Sequence, residues 1–200
     1  MGKPVKLTPP VRAVHEIRII GGQWKRTKLP VRDLPGLRPT PDRVRKTLFN
    51  WLGQDLAGWR CIDAFAGTGV LGLEAASRGA LDVTLVEQER ALVEQMTQTA
   101  ARLQASAVRV LRGDGVAALR QYAPGSVDLV FLDPPFDSVL FEPAMRAALA
   151  TLSERGVVYL EAPRAWTQAQ LAPLGLALHR HLKAGAVHAH LLTRADATHA

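Results

Sequence analysis

Residues 63–74 read DAFAGTGVLGLE. Apolar RCI runs into Asp63, three glycines follow within ten residues, and VLGLEAASR then takes helical spacing. That is a strand stopped by an acid, a glycine turn and the start of a helix. The same unit recurs four times: DVTLVE before ERALVEQMTQTAARL, AVRVLR before VAALRQY, VDLVFLD before VLFEPAMRAALATL, and GVVYLE before TQAQLAPL. Right-handed crossovers turn such a series into a parallel sheet with helices on both faces, an α/β protein. The end breaks the rhythm, because LALHRHLK, a turn at Ala184-Gly185 and AVHAHLLTR read as an antiparallel hairpin. A seven-stranded mixed sheet with its last strand reversed is the expectation.

Gly67, Gly69 and Gly72 satisfy the G-x-G-x-x-G pattern, and Glu87 lies twenty residues past Gly67. By pattern alone this is a dinucleotide site. Asp63 argues otherwise, because an acid at the strand end attracts a ligand ammonium group and repels a pyrophosphate. Farther along, FLDPPF ends the fourth buried strand with Asp133, two residues that lack N–H groups, and an aromatic ring.

These stretches resemble two motifs of the class I S-adenosylmethionine-dependent methyltransferases, whose fold is Rossmann-like. Asp63-Ala64-Phe65-Ala66-Gly67-Thr68-Gly69 is similar to motif I, and Asp133-Pro134-Pro135-Phe136 to the [D/N/S]-P-P-[Y/F/W] motif of enzymes that methylate exocyclic or amide nitrogens. The resemblance implies S-adenosylmethionine as cofactor, bound by Asp63, Ala64, Phe65, Gly67 and Gly69. It further implies that Glu87 accepts the ribose hydroxyls, Gln88 flanks the adenine, and Asp114 with Gly115 holds the adenine amino group. All fall at carboxyl ends of strands, where open α/β sheets bind ligands.

The second motif has a physical logic. A nucleobase amine is a poor nucleophile because its lone pair is delocalised into the ring, so it must be held where nitrogen can become tetrahedral. The Asp133 carboxylate and the Pro134 carbonyl each accept one N–H, Pro135 adds no competing donor, and Phe136 stacks on the base. Phe136 departs from the Tyr common at this place, so stacking carries over and a hydroxyl contact does not. Asp133 also stands where a proton lost after transfer can be taken up.

Charge is uneven. The chain carries a net +7, yet residues 1–50 hold twelve lysines and arginines against Glu16, Asp33 and Asp42, while the remainder holds thirteen against fifteen acids. The basic quarter implies a polyanionic partner. Within it, residues 1–14 read as a tail, and residues 15–57 as a hairpin turning at Gly21-Gly22 followed by a helix with Thr40 as N-cap and Pro41 in its first turn. Residues 58–195 form the catalytic sheet. Arg18, Lys25, Arg26, Arg38, Arg43, Arg45 and Lys46 are the candidate phosphate contacts, with Trp24 free to stack on a base or to pin the ribbon.

RIIGGQWKRTKLPV and GLRPTPDRVRKTLFNWL, together with the two core motifs, are similar to the RsmD-type 16S rRNA guanine-N2 methyltransferases over most of the chain. Pro41 replaces the polar or small residue expected before Asp42-Arg43-Val44-Arg45, a change that suits the first turn of a helix. This resemblance implies methylation of one 966-type guanine in 16S rRNA, within a partly assembled 30S subunit. Two other readings fit the motifs: methylation of a DNA adenine or cytosine amine, and an RNA-binding assembly factor without turnover.

The rest narrows the class. Neither a leader peptide nor an apolar run of membrane-spanning length is evident, so a soluble, cytoplasmic protein, taken as a monomer, is expected. Cys61 sits in an apolar run as an inert thiol. His181 opposite His188 and His179 opposite His190 would share one face of the last hairpin, but opposed pairs on a flat ribbon seldom converge on one ion, so no metal is assigned.

Overall fold

The computed structural model describes residues 15–32, 34, 37 and 39–196; the N-terminal tail and Arg38 lie outside them. Strands β1 (His15–Arg18) and β2 (Lys28–Val31) pair antiparallel with Arg18 opposite Lys28. The expected turn at Gly21-Gly22 is therefore corrected: residues 19–27 form the connection, closed by the Arg26 N–H on the Ile19 carbonyl and the Ile19 N–H on that of Thr27. The two glycines instead serve close approach. Gly22 has φ +71°, and a Cβ there would fall 1.8 Å from the Ser77 carbonyl oxygen, so only glycine lets this loop lie against the next helix but one.

Helix α1 (Asp42–Trp51) turns Val44, Arg45, Leu48 and Phe49 inward. Thr40 does not cap it. Pro41 occupies that place without a side-chain bond, and the Thr40 hydroxyl is drawn to Glu161, a stronger acceptor.

From residue 60 the expected alternation appears as β3 (Arg60–Asp63), α2 (Val70–Ser77), β4 (Asp82–Glu87), α3 (Arg90–Arg102), β5 (Val108–Arg112), α4 (Gly115–Leu119), β6 (Val127–Leu132), α5 (Phe141–Thr151), β7 (Leu152–Ala162), α6 (Gln168–Leu171), β8 (Leu176–Ala184) and β9 (Val187–Arg194). The sheet order is β5-β4-β3-β6-β7-β9-β8. Strands β3 to β7 are parallel, and β9 lies antiparallel between β7 and β8.

Alternating side chains build two cores. Cys61, Leu129, Phe131 and Tyr159 face α1, α2 and the N-terminal ribbon, which contributes Ile19 and Leu29 to the same cluster. Ile62, Val130, Leu132 and Leu160 face α4, α5 and α6. The N-terminal elements thus pack onto one face of the catalytic sheet.

A buried ionic knot joins them. The Glu74 carboxylate on α2 accepts the backbone N–H groups of Ile20 at 2.9 Å and Gly21 at 2.7 Å, and also pairs with Arg78 at 2.9 Å and Arg45 at 3.5 Å. Arg45 further donates to the carbonyls of Thr40 and Arg18 and to Asp42. Its side chain is fully buried, which corrects the expectation of a phosphate contact there: the guanidinium is spent inside the protein.

The last hairpin turns at Gly185-Ala186, with φ +62° at Gly185 and a bulge between Leu178 and Arg180. This shifts the pairing expected above by two residues, so His181 faces His190, and His188 faces Lys183. His181 and His188 still meet diagonally, Nε2 to Nδ1 at 3.0 Å. His190 is engaged on both ring nitrogens: Nε2 accepts the Trp166 N–H at 3.0 Å and Nδ1 donates to the Leu160 carbonyl at 3.3 Å. No cluster of His, Cys, Asp or Glu suited to a metal occurs among the described residues. No helix there is long and apolar enough to cross a membrane.

Candidate active site

The carboxyl ends of β3, β4, β6 and β7 open into one cavity of about 920 Å³, within the range of small-molecule and cofactor sites. Leu34, Leu37 and Pro39 from the segment before α1 form one wall, and Ala186 and Val187 from the last hairpin form another.

Asp63 ends β3 and is 2% exposed. It accepts the Gly72 N–H at 3.3 Å. Burial pushes its pKa up to about 7, helped by the Glu87 and Glu161 charges and opposed by backbone bonds from Gly72 and Phe65. The loop that follows is pinned by Ala64 N–H on the Phe131 carbonyl, Ala66 N–H on the Val86 carbonyl and Gly67 N–H on Glu87 Oε2 at 2.9 Å. Gly69 adopts φ +77° to open α2, and a Cβ there would meet Met96 Sδ at 2.7 Å. The third glycine of the pattern, Gly72, serves helix packing on β4, where a Cβ would strike Leu85.

Glu87 at the end of β4 also accepts the Glu89 N–H at 2.9 Å and faces the cavity with Gln88. Asp114 differs from expectation. Its carboxylate caps α4 through the Ala117 N–H at 2.7 Å and accepts from Gln88 at 3.1 Å, so the wall here is Gly113 and Gly115, not the Asp114 side chain. Gly69, too, stands behind the wall.

Asp133, Pro134, Pro135 and Phe136 all line the cavity opposite the glycine loop. Burial raises the Asp133 pKa well above the usual carboxylate range, and the charges of Glu161 and Asp63 raise it further. Glu161, in β7 beside this motif, went unnoticed in the sequence. It is 3% exposed, lines the cavity, accepts the Tyr159 hydroxyl at 2.8 Å and is bonded by Thr40. The signal was present: Glu161 is an acid at the end of a buried strand, as are Asp63, Glu87 and Asp133.

Among the described residues, none of the candidate phosphate contacts lines the cavity. Arg18, Lys25, Arg26, Arg43 and Lys46 are exposed on the ribbon, its connection and α1. Trp24 is half-buried and packs against the core, so it pins the connection. Thr40 and Pro41 carry the chain from the cavity wall straight into α1.

No Lys, Arg or His lines the cavity among the described residues, whereas Asp63, Glu87, Asp133 and Glu161 do. Such a wall suits a cationic ligand rich in hydroxyl and amino donors and rejects a pyrophosphate.

Sheet order, glycine loop and strand-end acids define a class I methyltransferase with a Rossmann-like fold, and the structural neighbours agree. Escherichia coli yhhF superposes with a TM-score of 0.78 at 42% identity, covering 90% of this chain and 98% of that one. HI0767 from Haemophilus influenzae gives 0.73 at 31%, covering 90% and 99%. Residues 17–193 match the family model described as conserved hypothetical protein 95. Ribosomal RNA small subunit methyltransferase D of E. coli K12 is 42% identical over 174 residues, 86% of this chain and 87% of the relative, and that of H. influenzae is 36% identical over 181 residues, 84% and 94%. The chain belongs to this family, the RsmD family.

Proposed function

We propose that this protein transfers the methyl group of S-adenosylmethionine to the exocyclic N2 of one guanine in 16S rRNA, of the 966 type, in the assembling 30S subunit. The observation that carries it is the opening of Asp133-Pro134-Pro135-Phe136 into the same cavity as Asp63, the glycine loop and Glu87. The names of the relatives support RNA as the substrate.

The cavity fits the cofactor in charge and size: its acids match an ammonium group, a sulfonium and two ribose hydroxyls. When bound, S-adenosylmethionine supplies an electrophilic methyl group. Asp63 holds the ammonium end, Glu87 accepts the ribose hydroxyls, and Gln88 with the Gly113 and Gly115 backbone flanks the adenine. Asp133 and the Pro134 carbonyl take the two N–H groups of the guanine amine and aim its nitrogen, while Phe136 stacks on the base. Asp133 accepts the proton that nitrogen gives up as the new N–C bond forms. Segment 15–57 is the RNA platform, where exposed Arg18, Lys25, Arg26, Arg43 and Lys46 hold phosphates while the target base is splayed out. The protein acts as a cytoplasmic monomer.

The test is incubation with methyl-labelled cofactor and 30S subunits, naked 16S rRNA or duplex DNA from a strain lacking the enzyme, followed by mapping of the label. Label on one guanine N2 of 30S subunits is expected. Label on DNA alone, or none, rejects the proposal.

A further inference from the structure

Glu161 has no part in cofactor binding or proton uptake as described above, yet it is a buried carboxylate in the cavity wall. β6 and β7 pair in register, Phe131 opposite Tyr159 and Leu132 opposite Leu160, which makes Asp133 and Glu161 the next neighbours. Both follow by two residues the side chains that face α1, and both open into the cavity.

Two hydroxyls hold the Glu161 carboxylate in place. Tyr159, fully buried with its own pKa raised well above the usual value first by burial and then by the Glu161 charge, remains a donor. Thr40 bonds the same carboxylate from the segment before α1. Burial raises the Glu161 pKa above the usual carboxylate range, and both hydroxyls, by favouring the ionised form, oppose that rise. Pinning two hydroxyls does not require a charge, since a glutamine would do so without the cost of burying one. Among the described residues no cation lines the wall, so the carboxylate is open to a donor from a ligand.

The chemistry of the amino-bearing bases says which donor. In guanine the ring nitrogen beside the amine carries a hydrogen, so N1–H and N2–H₂ form a row of donors. In adenine and cytosine the corresponding ring nitrogen is an acceptor, and its lone pair would oppose a carboxylate.

Resting on the guanine-N2 reading above, we infer that Glu161 is the specificity-determining residue for the base, accepting N1–H of the target guanine beside Asp133, which accepts from N2. The paired strand ends then read two adjacent donors, and adenine and cytosine are turned away at the ring nitrogen. Thr40 ties this reading to the RNA platform, because α1 begins two residues after it.

The test uses 30S particles reconstituted with ligated 16S rRNA carrying guanine or 2-aminopurine at the target; the latter keeps the amine but presents N1 as an acceptor. For wild type, kcat/KM is expected to fall by about 10- to 100-fold on 2-aminopurine, the worth of a hydrogen bond to a charged group. In Glu161→Gln, whose amide can donate to N1, that preference should shrink by at least about tenfold, with cofactor still bound as read by calorimetry. Glu161→Asp, which keeps the acceptor but withdraws it, should slow both substrates while preserving the preference. If Glu161→Gln binds cofactor, methylates guanine and discriminates as wild type does, Glu161 does not read N1. If wild type leaves the guanine unmethylated, the reaction itself is misread and this inference falls with it.

Discussion

Asp63 binds protons differently in the folded and unfolded chain. Burial raises it from 3.8 to about 7, and Glu87 from β4 and Glu161 from β7 add repulsion. Between those two values the folded state holds a proton on Asp63 that the unfolded state has released, so the contribution of Asp63 to stability falls as pH rises through that window and is flat on either side. Asp63→Asn is expected to remove that contribution, read as the difference in urea midpoint from wild type between pH 4.5 and 8. An ammonium ligand needs the ionised form, so cofactor affinity should tighten as pH climbs toward 7 and then level off, and calorimetry on Asp63→Asn should lose that dependence. A wild-type affinity independent of pH would show that Asp63 does not meet the ammonium. At this scale the sequence was legible wherever an acid ended a strand with a glycine or proline turn behind it. Asp63 and Asp133 stood out that way and Glu87 by its spacing of twenty residues from Gly67, whereas Glu161 was passed over because no motif was read in the Ala162-Pro163 that follows it. Asp114 carries a second demand that the strand-end pattern does not show, since its carboxylate also caps α4.

Among the elements, α1 shows the difference between residue type and residue position. Arg43, Arg45 and Lys46 are alike in charge, but Arg45 shares the face of Leu48, Phe49 and Leu52 at helical spacing. Position won, because Glu74 and two backbone carbonyls were there to receive the guanidinium. Glu74→Ala leaves Arg45 and Arg78 facing each other without their anion, and should cost about 3–5 kcal/mol of stability in chemical denaturation. Replacing exposed Arg43 and Lys46 by Glu should leave the unfolding midpoint nearly unchanged, weaken RNA binding and lower the slope of log affinity against log salt by about 2. A retained salt slope would assign both side chains to solvent. The turn at Gly21-Gly22 was misread because glycine serves both tight turns and close approach. Here Ser77 lies against the loop, a contact between residues more than fifty apart that local pattern does not contain. The last hairpin slipped by two residues since its histidines alternate equally well in either register and only the turn glycine and the bulge decide.

For the molecule as a whole, the alternation of buried strands and helices was enough to foresee the parallel sheet, its reversed last strand and the edge that carries the site. What the pattern could not supply is how the described residues ahead of α1 close on that edge. Leu34, Leu37, Pro39 and Thr40 wall the cavity, and Ile19, Leu29 and α1 share a core with Phe131 and Tyr159. The described part of the basic segment is thereby packed onto the sheet, so under the proposed function grip on RNA and placement of the base would be properties of one packed body. The account rests on Asp133 acting on the nitrogen that receives the methyl group. Its most direct test is single-turnover methylation of 30S subunits by Asp133→Ala, with cofactor affinity measured on the same protein. The account predicts a rate at least ~100-fold lower with cofactor still bound; a rate equal to that of wild type would contradict it.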